Sequence, residues 1–310
     1  MKKIKYQGGI TKLIATRISR GNKAEFAFFI KENLYTLRHR YKNNLVQLAV
    51  VSFSSCNDFN EQILSILSFL RYVGTPVAWT LYSDGTHTSE QIQLLTSSFE
   101  FIQVKGTDLE DIDSVMKNCK KELHPYLEQL LHYAGQHPLG KRLYLYLNHD
   151  IKEPTLFLDA DILFYNQASI IKIILKEDVN GWYLPDTDWG CLDSHYKASN
   201  IKQLYQVNGG FLLFNKPLSH LTEGLEFLKQ LDYKYEYFSE QTIMHILLKA
   251  NSFMPLDPRI FILNIDDQFD FSYLLPREKM AIRHYTGPVR HKMWQRNWKW
   301  QLSLSESTNG

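Results

Sequence analysis

TLFLDADILFY, residues Thr155–Tyr165, is the stretch that decides the fold. Thr155–Leu158 is short, apolar and β-prone, and it reads as a strand buried on both faces. It runs directly into Asp159 and Asp161, with small Ala160 between them. In an extended chain, positions i and i+2 point to the same side, so two carboxylates project together where a strand leaves its sheet. Such a pair repels unless a proton or cation lies between the two acids. Oxygen ligands of this kind suit Mg²⁺ or Mn²⁺. Two ligands are too few, and a diphosphate and a third protein ligand are the expected completions. For the two residues alone, a pair of solvated turn aspartates is the alternative.

Outward from this strand, apolar runs alternate with helical patterns. Leu45–Phe53 (LVQLAVVSF) is a buried-strand pattern. A helix follows, opened by Asp58 and Glu61 in capping-box spacing and striped by Ile63, Leu64, Ile66, Leu67 and Leu70. Val77–Tyr82 is a second strand, and Thr88 with Gln91 starts the next helix. Phe101–Val104 is a third strand. Leu109–Leu131 is helical with a break near Pro125, and Lys141–Leu147 continues as helix. Beyond Thr155–Leu158, the expected strands are Gly181–Leu184 and Phe211–Phe214, the latter entered from a turn at Asn208-Gly209-Gly210. Pro217–Leu231 and Glu240–Ala250 read as helices. This alternation predicts an α/β fold with a mostly parallel central sheet, whose ligands sit beyond the carboxyl ends of the strands.

The 310 residues are 44% apolar and 22% charged, enough for a large core and unlike a disordered, collagen-like or coiled-coil chain. No apolar run is long enough to span a membrane, and no secretory leader is legible. Cys56, Cys119 and Cys191 fit neither a zinc pattern nor a disulfide framework. A reducing, cytoplasmic location is the expectation. The net charge of +2 is unevenly placed: residues 1–44 carry +9 and the remainder −7. The first 44 residues read as a basic helical extension. Contact with an anionic membrane surface and a solvated helix packed on the body are its two readings. It lacks the aromatic–basic repeat of a nucleic-acid reader, so no nucleic-acid partner is expected.

Three further segments carry candidate chemistry. VNGGFLLFNK (Val207–Lys216) sets Gly209-Gly210 where backbone can approach a ligand, or simply turn. YFSEQTIMHILL (Tyr237–Leu248) puts Glu240 and Gln241 at a helix start, where charge also complements the helix dipole. RHYTGPVRHKMW (Arg283–Trp294) crowds His284, Gly287, Arg290 and Lys292 into one stretch. His284 can ligate a metal, and a basic glycine-containing loop is what a diphosphate needs; a solvated basic turn is the plainer alternative.

The order DAD, NGG, EQT, HYTGP then a basic residue and Trp resembles the GT-A fold glycosyltransferases, most closely family 8, over roughly residues 45–295. That family includes bacterial lipopolysaccharide glycosyltransferases and glycogenin. The resemblance implies a GT-A domain over 45–302, behind the 1–44 extension and before a 303–310 tail. It implies transfer of a hexose from a nucleoside diphosphate sugar (UDP-glucose or UDP-galactose) to a hydroxyl on a glycan, lipid or protein, with retention. Asp159, Asp161 and His284 are similar to the family's ligands for Mn²⁺ or Mg²⁺, and Asp159 also to its ribose contact. Arg142, within KRLYLYL, is similar to the arginine that contacts donor. Asn208, Gly209 and Gly210 resemble the loop beside the sugars, Gln241 the polar residue near the anomeric carbon, and Gly287 with Lys292 the diphosphate binders.

Three features depart from the pattern, one being Glu240 where the family more often has Asp. Lys292 falls two residues late and Arg290 stands in its usual place, leaving open which cation meets phosphate. VSFSSCN (Val51–Asn57) lacks the family's acids near the nucleobase. An inactive sugar-nucleotide or glycan-binding module of the same fold is the alternative reading. A haloacid-dehalogenase-like phosphatase also sets DxD after a strand and could use Asp266-Asp267. Its first acid lies near the chain start, however, and Leu163 stands where it has Thr or Val.

Overall fold

A computed structural model of the chain describes residues 9–40, 45–107, 109, 112–186, 191–197, 205–268, 276–295 and 298–302. Asp188, Arg296, the lysines at positions 2, 3 and 5 and the tail 303–310 lie outside them.

The chain opens with α1 (Ile10–Arg40), followed by β1 (Leu45–Ser54), α2 (Phe59–Tyr72), β2 (Thr75–Ser83), α3 (Ser89–Ser98) and β3 (Ile102–Lys105). Next come α4 (Ile112–Asn118), α5 (Leu127–Gln136), α6 (Pro138–Asn148), β4 (Thr155–Leu158), β5 (Ile162–Phe164) and α7 (Ile171–Ile174). β6 (Gly181–Asp186), β7 (Gln206–Phe214), α8 (Thr222–Gln230), α9 (Ser239–Ala250), β8 (Met254–Pro255) and β9 (Phe261–Ile262) follow. The last elements are β10 (Ile282–His284), α10 (Lys292–Gln295) and α11 (Trp298–Gln301).

Seven strands form the main sheet in the order β3-β2-β1-β4-β7-β6-β8. β3, β2, β1 and β4 are mutually parallel, β7 runs antiparallel to β4 and β6, and β8 runs parallel to β6. The sheet is therefore mostly parallel, as the alternation predicts. It is buried on both faces, and side-chain alternation sorts residues between two apolar clusters. Leu48, Val50, Leu156, Leu158, Phe211 and Leu213 face one cluster, shared with α1 and α2. Val51, Phe157, Leu212 and Phe214 face the other, shared with α5, α6, α8 and α9.

A second, small sheet, β5-β10-β9, sits at the end of β4. β10 pairs antiparallel with β5, setting His284 opposite Ile162. Two segments far apart in sequence are thereby placed side by side at the rim where the acid pair emerges.

The structure corrects three local expectations. Asn208-Gly209-Gly210 is not a turn before a strand but part of β7, every residue of which is buried. The strand makes room for the glycines by a bulge: Tyr183 pairs with Leu212, yet Leu184 pairs with Asn208. Asp58 does not cap α2 with its side chain, because a 3₁₀ turn over Cys56–Asp58 leads into the helix and sends the carboxylate elsewhere. The helix expected from Pro217 begins at Thr222. Elsewhere Thr88 and Gln91 do form a reciprocal capping box. The break near Pro125 is a 3₁₀ turn, Lys121–Tyr126.

α1 packs along the body through Phe26, Ile30, Leu34 and Leu37. Its Phe26 and Phe29 rings meet Trp298, and Phe26 also meets Trp294. Arg38 pairs with Glu100, and Glu25 with Lys299. No helix among the described residues is long and apolar enough to cross a membrane.

Candidate functional site

The site is assembled at the carboxyl end of β4. The Asp159 amide donates to Gly210 O at 2.8 Å and the Tyr285 amide donates to Asp161 O at 2.9 Å. Backbone bonds thus lash the acid pair to β7 on one side and to the end of β10 on the other.

Asp159, Asp161 and His284 each turn a ligand atom inward, all within 4.8 Å of one another. His284 Nε2 lies 3.1 Å from Asp161 Oδ1 and 3.7 Å from Asp159 Oδ2. The other ring nitrogen, Nδ1, lies 3.0 Å from Asn208 Oδ1. That oxygen already accepts the Gly210 amide at 3.0 Å, so the amide side chain is oriented with its carbonyl toward the ring. An acceptor at Nδ1 fixes one proton there, so that release of the Nε2 proton frees a lone pair facing the acids. The chemistry of this set, two carboxylates and one imidazole nitrogen, fits Mn²⁺ or Mg²⁺ with positions to spare for phosphate oxygens.

The two glycines of β7 create the space. A Cβ on Gly210 would stand 2.3 Å from His284 Cε1 and 2.6 Å from its Nδ1. One on Gly209 would stand 2.9 Å from Arg142 Nη2. Gly210 leaves no room for a side chain against the His284 ring, and one at Gly209 would press on the Arg142 guanidinium between Asp159 and Glu240.

Two arginines bracket the acids. Arg142, on α6, donates from Nη1 to Asp159 Oδ1 at 2.7 Å and from Nη2 to Glu240 Oε2 at 2.8 Å. Glu240 is fully enclosed, and its Oε1 and Arg142 Nε are buried without partners among the described residues. Arg290, beyond the Gly287–Val289 turn, approaches Asp161 Oδ2 at 2.6 Å and donates to Asp58 Oδ1 at 3.0 Å. Its Nε donates to Tyr285 O at 3.1 Å.

Electrostatics follow this geometry. Burial works to raise the Asp161 carboxyl, but His284 and Arg290 outweigh it and hold the group at about 2. Burial works to lower His284, yet the neighbouring Asp161 and Asp159 carboxylates raise it. For Glu240 burial prevails over Arg142, and its carboxyl titrates above the usual range.

The remaining candidates are placed as follows. Gln241, at the start of α9, donates from Nε2 to Cys191 O at 2.8 Å. Gly287 is exposed, with open space around its Cα. Lys292 is fully buried and its ammonium lies 3.8 Å from Asp267 Oδ2, in a cluster where Arg283 grips Asp267 with two bonds of 2.8 and 2.6 Å. Arg290, not Lys292, is the cation of this segment in contact with the acid pair. Asp58 is a member of the site that the sequence reading treated only as a cap. Its signal was position: it stands just beyond the carboxyl end of β1, where ligands of parallel sheets gather.

The sheet order, the strand-end acids and the small second sheet define a GT-A type α/β fold. No protein-family model and none of the curated proteins matches the chain by sequence. Solved structures do match. The chain is similar to galactosyltransferase LgtC in complex with donor and acceptor sugar analogues, with a TM-score of 0.52 and 16% identity over 84% of this chain and 97% of that one. It is also similar to the apo form of glycosyltransferase GlyE from Streptococcus pneumoniae, at 0.50 and 15% over 85% and 64% of the two chains. Mouse xyloside xylosyltransferase 1, apo form, matches at 0.50 and 13% over 79% and 99%. At such identities the likeness establishes the shared fold.

Proposed function

We propose that the chain is a metal-dependent glycosyltransferase that moves a hexose from a nucleoside diphosphate sugar, UDP-glucose or UDP-galactose, to an acceptor hydroxyl on a glycan, lipid or protein. The observation that carries this reading is the convergence of Asp159, Asp161 and His284 Nε2, drawn from β4 and β10, beside an arginine fork. The resemblance to family 8 of the GT-A enzymes adds the donor class and retention of configuration.

In this reading Asp159, Asp161 and His284 hold Mn²⁺ or Mg²⁺. When bound, such an ion supplies Lewis-acid stabilisation to the diphosphate as it departs. Asn208 keeps the His284 ring turned so that Nε2 faces the acids. Arg290 adds fixed positive charge with a planar fork suited to phosphate oxygens. Gly287, with no side chain to intervene, leaves backbone open to the diphosphate. Lys292 supports this loop from beneath through Asp267.

Arg142 holds Asp159 and Glu240 together, and Gly209 and Gly210 let the donor sugar lie close against β7. Gln241 has no useful basicity and orients the sugar near its anomeric carbon. Glu240, paired with Arg142, is not assigned as a nucleophile.

The test is a panel of nucleotide sugars with Mn²⁺, scored by nucleotide release with and without chelator. Asp161→Ala is expected to lower transfer by at least ~10²–10³-fold while circular dichroism is unchanged. Parental turnover in that variant with metal present, or chelator-insensitive turnover, refutes the site assignment.

A further inference from the structure

α1 is apolar on two sides, and only one of them is covered. Ala15, Phe26, Ile30, Leu34 and Leu37 are buried against the body. On the other side, in the first third of the helix, Ile10 is 78% exposed, Leu13 74%, Ile14 47% and Ile18 43%. Four large aliphatic side chains within nine residues, all facing solvent, are not the scattered exposure of an ordinary surface.

Charge on this part of the helix has one sign. Residues 10–24 contain Lys12, Arg17, Arg20 and Lys23 and no acid, and the preceding nine residues add three lysines and no acid. Lys12 and Lys23 reach back to Gln268 and Glu61, whereas Arg17 and Arg20 are exposed beside the aliphatic row.

We propose that this face of α1 docks on an anionic lipid surface, Ile10, Leu13, Ile14 and Ile18 entering the acyl boundary and Arg17 and Arg20 meeting headgroup phosphates. An aliphatic row flanked by guanidinium groups, on a helix that cannot span, has the makeup of an interfacial helix. A second copy of the chain fits less well, because a two-fold contact brings Arg17 and Arg20 of both copies onto one patch. Nucleic acid has no use for four aliphatic side chains at its backbone.

The docking helix is fastened to the candidate site. Ser19 Oγ lies 2.5 Å from His291 O, and Asn22 Nδ2 donates to Trp294 O at 2.8 Å. These carbonyls belong to the segment that carries His284 and Arg290, so a docked α1 sets how the site is presented to the membrane.

Flotation of the full chain with vesicles tests this. Binding is expected to phosphatidylcholine vesicles containing phosphatidylglycerol, and not to phosphatidylcholine alone. The double variant Arg17→Ala/Arg20→Ala should weaken it about 30-fold. Leu13→Gln/Ile14→Gln should weaken it on the order of tenfold or more at both low and high salt. Lys216→Ala, exposed on the body, should change nothing. All replaced side chains are exposed, and an unchanged melting temperature verifies folding. Ile10→Gln/Ile18→Gln repeats the test if the first aliphatic pair disturbs the helix.

Absence of flotation with anionic vesicles overturns the proposal, as does equal binding by parent and variants. So does a dimer in sedimentation that Leu13→Gln/Ile14→Gln disperses, which would assign the face to a second copy. No donor or metal enters the measurement, so its outcome is independent of the transferase reading.

Discussion

Among the described residues, two clusters bring an aspartate, a histidine and a further acid together: Asp159–Asp161–His284 and Asp193–His195–Glu236. They differ in what the acids already do. Asp193 Oδ1 accepts from the His195 amide at 2.9 Å and faces its Nδ1 at 2.7 Å, and Oδ2 accepts from Ser239 Oγ at 2.5 Å. Glu236 accepts from the Ser194 amide and hydroxyl. That cluster fastens a loop to the start of α9, and its oxygens are occupied in doing so. In the first cluster, backbone bonds hold the main chain, the carboxylates face Arg142, Arg290 and His284 from elements distant in sequence, and two glycines clear the space ahead. Ligand-type residues in proximity do not make a site; carboxylates gathered against cationic side chains from distant segments, beside cleared space, do.

The contrast can be broken most sharply at Gly210. Alanine there places a methyl group 2.3 Å from His284 Cε1 and 3.0 Å from Asn208 Oδ1, so the imidazole must swing away from the acids. Displacement of a reacting geometry by about 1 Å costs on the order of 10²-fold in rate, and transfer should fall at least that far. Calorimetric titration with Mn²⁺ should show weakened binding alongside. Parental metal affinity in Gly210→Ala would mean that His284 is not a ligand.

A second difference is electrostatic. Asp161 is held at about 2 in the folded chain, against an ordinary value of 3.8. A depressed carboxyl contributes stability that is present above its ordinary value and lost as pH falls through the folded one. Between pH 4 and pH 2 the parent should therefore lose about 2 kcal/mol that Asp161→Asn does not lose. Urea titrations at the two pH values measure it. Equal losses in both proteins would show that His284 and Arg290 do not grip this carboxylate.

Much of the site was legible because its residues sit where local sequence announces geometry. Asp159 and Asp161 end an apolar strand, and His284 stood out through the RHYTGP stretch, although the short strand it ends was not legible. What was not legible depended on contacts between segments. Gly209 and Gly210 lower β propensity, so the reading started the strand after them; burial and the demands of His284 and Arg142 override that preference. Arg290 and Lys292 are two residues apart in sequence, and only the turn at Gly287–Val289 and the pairing of Lys292 with Asp267 separate their roles. Asp58 matched a cap by spacing, while its partner Arg290 lies 232 residues away. α1 was legible as a helix, but its low polarity contrast hid which side is covered.

The smallest effect is expected in the second cluster, at Glu236. Asp193 is a poor choice there, because its bond to Ser239 reaches the turn before Glu240 and Gln241, and its loss would disturb the candidate site mechanically. Glu236 instead meets Ser194 at the exposed end of the cluster. In Glu236→Gln the amide oxygen can still accept from the Ser194 amide, and only the charge is lost. Stability should move by no more than about 0.5 kcal/mol, as for an ordinary surface substitution. Transfer and Mn²⁺ affinity should stay within about twofold, since no ligand of the ion is altered. A drop in Mn²⁺ affinity as large as that of Gly210→Ala would make the Asp193 cluster an ion site in its own right and erase the distinction between the two.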